Sequence, residues 1–242
     1  MRSTRATATV TGVFFIVAAA AAMVALALYQ PVLGDARYVL GAGADGKVRL
    51  GAFLEMLLAV SVIGTAVTLY PVVRRQNPGI ALGYVCGRAL EATFIVVGIL
   101  SVLSVVTLHQ GHAASGTDDG ALVAVTKALI ALHDWTFLLG PGLVIGGNTL
   151  MLAYLMYRSG LVPRAIAVIG LVGGPVVAAS GIAVLFGVYD QLSPISALAA
   201  LPVFVWEMSL AVFLIVKGFT PSPLLGPDTA VPPQRQPAMT AV

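Results

Sequence analysis

Arg88, Glu91 and Glu207 are ionisable side chains set inside otherwise apolar runs. Arg88 and Glu91 are three residues apart, so on a helix they are surface neighbours and can form an intrahelical ion pair. Glu207 follows Trp206 in a later run, eleven residues after Ser196 and ten before Lys217, while Arg88 stands nine residues after Gly79. At about 1.5 Å per residue, both then fall near the middle of a helix long enough to cross a bilayer. A charge at that depth is costly unless it is paired or hydrated, so mutual pairing of Arg88, Glu91 and Glu207 is the cheapest arrangement. One cation against two carboxylates leaves a negative charge that must take up a proton or water. The chemistry that follows is a proton or substrate site at the bilayer midplane; the alternative is a buried pair that fixes helix register without a ligand.

A second polar set is expected toward the outer face: Glu55, His109, His112, His133 and Asp134. Histidines with carboxylates can hold zinc, and an open coordination position would activate water. His109 and His112 lack the internal glutamate of the zinc-hydrolase helix motif and sit among loop residues, so the set reads as ordinary outer-loop histidines. No metal and no cofactor is expected. A Gly-x-Ser-x-Gly elbow and a phosphate-binding loop are both absent from the sequence. Cys86 is the single cysteine, which excludes an intrachain disulfide, and in its apolar surroundings it behaves as a small hydrophobe.

The elements that must position these groups are membrane helices. Of 242 residues, 59% are hydrophobic and 10% charged, too few charges for an ordinary aqueous surface. Six apolar runs, at 10–28, 51–70, 80–108, 137–157, 165–188 and 195–216, have the length of spanning helices and lack the alternation of a membrane barrel. The fold class is therefore all-α, a polytopic bundle of about six spanning helices around one core, with the lipid bilayer as its main partner. The first run is too long for a signal peptide and reads as a retained helix. Residues 121–135 carry Thr126, Lys127, His133 and Asp134, and form either an interfacial helix or an outer extension of the fourth span. The transmembrane domain occupies 1–219, and residues 220–242, which hold six of the 14 prolines, read as a disordered cytoplasmic tail.

Eight Lys and Arg fall in the connections on one side, against fewer on the other, where Asp35, Asp45, Asp118, Asp119 and Asp190 lie. The positive-inside rule then puts both termini in the cytoplasm. The net charge of +3 is small and scattered, which argues against a nucleic-acid partner. Gly79, Gly83 and Gly87 form a row that admits a close neighbour helix, and Glu91 continues it. Gly140-Pro141-Gly142 and Gly173-Gly174-Pro175 interrupt spans and read as sites of close packing, with Gly142/Gly146 and Gly170/Gly174 as small-residue pairs. Tyr70, Arg74, Pro78, Ile80 and Ala81 are echoed by Tyr154, Arg158, Pro163, Ile166 and Ala167. That echo fits either an internal repeat or the common chemistry of cytoplasmic helix ends.

Several stretches carry a family resemblance: Asn77-Pro78, Gly83-Tyr84 with Arg88 and Glu91, Arg158 to Arg164, and Trp206-Glu207 leading to Leu214 through Phe219. Together they resemble a bacterial membrane family known as domain of unknown function 4386. The resemblance implies a six-helix protein of the bacterial cytoplasmic membrane and no activity. The residues themselves leave three functions open. The first is a small-molecule or proton-coupled carrier, or an accessory subunit, using Arg88, Glu91 and Glu207. The second is an intramembrane enzyme using Glu55, His133 and Asp134, and the third a purely structural or sensory protein. A carrier requires a cavity reaching Glu207; an enzyme requires Glu55, His133 and Asp134 to converge. Ligand identity and oligomeric state are not written in the chain.

Overall fold

The computed structural model describes residues 2–41, 43–115 and 118–225. Seven α-helices follow in order: α1 (Arg2–Leu33), α2 (Asp45–Val73), α3 (Pro78–Ser115), α4 (Asp119–Phe137), α5 (Ile145–Ser159), α6 (Arg164–Leu185) and α7 (Pro194–Val216). Among the described residues there is no strand. A π-helical segment, Leu138–Val144, joins α4 to α5 without a break, so the two form one stretch from Asp119 to Ser159. Counting that stretch as one, six helices among the described residues are long and apolar enough to cross a membrane.

That junction decides between the two expectations for residues 121–135: they extend the fourth span. Its start lies 18 residues before the Phe137 expected from hydropathy, because Asp118 caps the helix by accepting from the Ala121 amide at 3.0 Å. The π segment holds Gly140, Pro141 and Gly142. Proline has no N–H to give the usual i−4 carbonyl, and shifting the ladder to a wider turn keeps the helix continuous across it. Other boundaries follow local chemistry. Asn77 Oδ1 accepts from Ile80 N at 3.0 Å ahead of Pro78, and Gly160 closes α5 at φ 65°, a conformation that favours glycine.

The spans pack as a closed ring in which α1 lies on α2 and α7, α2 on α3, α3 on α4 and α5, α5 on α6, and α6 on α7. Large apolar side chains such as Phe53, Val67, Leu100 and Val172 are exposed on the outside, where lipid would solvate them. The single core expected from composition is divided in two. One buried cluster, with Phe15, Tyr84, Leu155, Trp206 and Leu214, fills the end of the bundle that holds the chain's start. Another, with Tyr29, Val48, Ile99, Val102 and Val105, fills the opposite end. A layer of charged side chains lies between them.

Both ends are tied down by polar contacts. At the first, Arg5 Nη2 donates to the carbonyls of Ile215 and Val216 at 2.8 and 3.0 Å, placing a cation on the last turn of α7 where the helix dipole favours it. There the chain past α7 packs back: Thr220 N donates to Leu161 O at 2.8 Å and Ser222 Oγ to Ser159 O at 2.9 Å. Of the tail expected over 220–242, residues 226–242 lie outside the described residues. At the other end, Asp45 accepts from Tyr38 Oη and, at 2.7 Å, from Gln110 Nε2, with His109 Nδ1 at 3.0 Å. Burial and that bond to Asp45 push the Tyr38 hydroxyl above the ordinary tyrosine range. His109 Nε2 also lies 2.7 Å from Gly41 O, so His109 staples the α1–α2 connection to α3.

Candidate functional site

Arg88 is the centre of the charged layer. It is 3% exposed, and its Nη1 lies 3.3 and 3.2 Å from the two oxygens of Glu91 on the same helix face. Its Nη2 donates to Glu207 Oε1 at 2.9 Å, and its Nε to Tyr84 Oη at 3.3 Å. The rings of Phe15 and Tyr84 sit 5.7 and 5.5 Å from the guanidinium carbon, within cation–π range. Thus α3 is joined across the ring to α7 by an ion pair, while each packs along its length on other helices. Ten residues separate Arg88 from Pro78 at the helix start, about 15 Å of rise and so half the thickness of a hydrocarbon core.

Asn148 completes the layer, and the sequence reading missed it. Its Nδ2 donates to Glu91 Oε2 at 2.7 Å. The approach depends on Gly87, since a Cβ there would stand 1.9 Å from Asn148 Oδ1. Gly83 faces Met151 in the same way, so the glycine row receives α5. A depth count could have found Asn148: it lies eleven residues before the end of α5, about 17 Å, level with Arg88. Thr65 extends the network on the far side, with its Oγ1 3.3 Å from Tyr84 Oη.

A cavity of about 130 Å³ stands over this layer. Arg88, Glu91 and Glu207 line it together with Glu55 and His133, and Gly98 on α3 lies ten residues beyond Arg88. The cavity therefore extends roughly another 15 Å along α3, toward the end of the bundle away from the termini. Two sets that the sequence suggested at separate depths share one space. His133 is buried, with its ring edge to Tyr29 at 5.7 Å and parallel to Phe137 at 6.4 Å. Gly98 lets α4 come this close, because a Cβ would stand 2.9 Å from Thr136 Oγ1. Glu55 is half-buried and lines the same cavity.

The remaining members of the outer set lie elsewhere. The side chain of Asp134 is 58% exposed, touches His133 Nδ1 at 3.3 Å and does not line the cavity. His112 pairs with Asp119 at 3.6 Å. Among the described residues, no group of three or more His, Cys, Asp and Glu side chains is disposed to hold a metal ion. The other glycine pairs serve packing: a Cβ on Gly146 would stand 2.7 Å from the Gly174 carbonyl, and one on Gly170 would stand 2.7 Å from the Trp206 ring.

The arrangement can bind a small solute against apolar walls and a charged floor, and its carboxylates can accept protons. No curated protein and no solved structure matches the chain. The family described as Domain of unknown function (DUF4386) matches residues 10–218, which takes in all six spans and every residue of the charged layer. The chain belongs to this family, and its six apolar helices mark it as an integral membrane protein.

Proposed function

We propose that the protein is a proton-coupled carrier of a small molecule, with Arg88, Glu91 and Glu207 as the floor of its binding site. The observation that supports this reading is the cavity, which reaches Glu207 from the side of Glu55 and His133. A structural ion pair needs no such space above it. The floor holds two carboxylates to one guanidinium, and a carboxylate left without a full partner in low dielectric is a natural proton acceptor. An enzyme built on Glu55, His133 and Asp134 has less support, because Asp134 turns out of the cavity.

Reconstituted vesicles loaded with a pH-sensitive dye and given a proton gradient test the reading. One class among small cationic, neutral and anionic solutes should dissipate the gradient through the wild-type protein. A variant carrying Arg88→Met, Glu91→Gln and Glu207→Gln should be inert. Identical traces for the two proteins would contradict the proposal.

We place the protein in the cytoplasmic membrane of a bacterium with both termini inside. The basic residues Arg5, Arg74, Arg75, Arg158, Arg164 and Lys217 all fall at the end of the bundle that holds α1's start and α7's finish. In a Cys86→Ser background, cysteines at Arg74 or Arg158 should be shielded from an impermeant thiol reagent in intact cells, and one at Asp190 should react. The reverse pattern would invert the topology.

A further inference from the structure

We infer that the ligand of this cavity is a small organic cation, a compact ammonium ion with an apolar body. The inference rests on the reading of the cavity as a binding site and names the class of solute it takes. Five ionisable groups line the cavity: Glu55, Glu91, Glu207, Arg88 and His133. With all three carboxylates ionised they outnumber the single guanidinium, and protonating His133 would still leave one negative charge in excess.

Arg88 has little left to offer an anion. Its three nitrogens already donate to Tyr84, Glu91 and Glu207, and two rings cover it. Glu91 is equally committed: both its oxygens accept from Arg88, and Oε2 also accepts from Asn148. Glu207 differs. Among the described residues only its Oε1 has a partner, and its side chain is 15% exposed. A carboxylate oxygen is thus available at the floor, with Glu55 as a second higher up.

The walls choose the rest of the ligand. Ala18, Ala19 and Ala22 of α1, with Ile95 and Ile145 opposite, are apolar, and Phe137 offers an aromatic ring. A hydrated metal ion gains nothing from such walls, whereas an alkylammonium ion buries its carbons there while its N–H groups donate to Glu207. An engineered apolar cavity of about 150 Å³ takes up benzene, so about 130 Å³ limits the ligand to a body of similar size.

Binding of three probes that share a tert-butyl body, tert-butylammonium, tert-butanol and pivalate, to the full-length protein in nanodiscs tests the inference by calorimetry. The cation should bind at least about tenfold more tightly than the alcohol, and pivalate should show no binding. Glu207→Gln should weaken the cation at least about tenfold, as loss of a desolvated charge partner does. Ala22→Leu fills the cavity, leaves every charge in place and should abolish binding. Absence of tert-butylammonium binding, or binding that survives Ala22→Leu, would overturn the inference. Preference for pivalate would overturn it too, but if Ala22→Leu removed that binding the cavity would stand as the site. Proton-gradient dissipation by an anionic or neutral solute would likewise keep the carrier reading and reject the cation.

Discussion

Arg88→Ala is expected to destabilise the folded protein by about 3–5 kcal/mol, the range for breaking a buried ion pair by removing one partner. The guanidinium is the single cation of the charged layer and lies against two carboxylates and a tyrosine hydroxyl. Its loss leaves Glu91, 3% exposed, with Asn148 as its remaining donor, and Glu207 with none. Either carboxylate must then take up a proton or draw water into the bundle. Changing Arg88 to Met together with Glu91 and Glu207 to Gln removes the charges as a set and should recover most of the loss, because a neutral layer has no ion to desolvate. Denaturant titration in mixed micelles gives both numbers. A neutral Arg88→Ala would mean that the layer does not hold the helices together. If the triple variant is stable but inert in the gradient assay, the charges serve the ligand and not the fold.

Gly87→Ala is expected to destabilise by about 1–3 kcal/mol, although alanine is the better helix former. The added methyl would stand 1.9 Å from Asn148 Oδ1, and Asn148 is a short side chain held by its bond to Glu91. Either α5 moves away or the amide turns and leaves Glu91. Asn148→Ala should by itself lose about 1–3 kcal/mol, the penalty for stripping a partner from a buried charged acceptor. In that background the clash is gone, so Gly87→Ala should become neutral or slightly stabilising, by up to about 1 kcal/mol. The double-mutant cycle should therefore show coupling of at least about 1 kcal/mol. Additive losses would mean that Gly87 packs against something other than Asn148.

Hydropathy and length made the six spans legible, since a backbone in hydrocarbon has few ways to pair its amides. The depth of Arg88 and Glu207 was equally legible, because helical rise converts residue counts into distance. Helix rotation was harder to read. His133 lies outside the fourth apolar run, so its polar neighbours suggested an interface, yet α4 is one long helix whose His133 and Thr136 turn inward against Gly98. Asp134, one residue on, turns about 100° away and is exposed, which is why the outer set divided. Asn148 was hidden for another reason. An amide in a run of glycines and leucines looks like tolerated polarity until Gly87 is seen facing it. The split of the core into two clusters was also beyond a composition count, which registers apolar residues but not the charged layer that separates them.

The central claim is that the charged layer is the floor of a cavity open to small cations and not a dry internal brace. It can be tested with one cysteine, Ala22→Cys on the cavity wall, in a Cys86→Ser background. A thiol reacts as its thiolate, so it must meet water to be modified by a methanethiosulfonate. The cationic 2-aminoethyl reagent should modify Cys at this position faster than the anionic 2-sulfonatoethyl reagent, and tert-butylammonium should slow it. Reaction no faster than that of the outward-facing Cys86 in the wild-type protein, with no preference for the cation and no protection, would contradict the account.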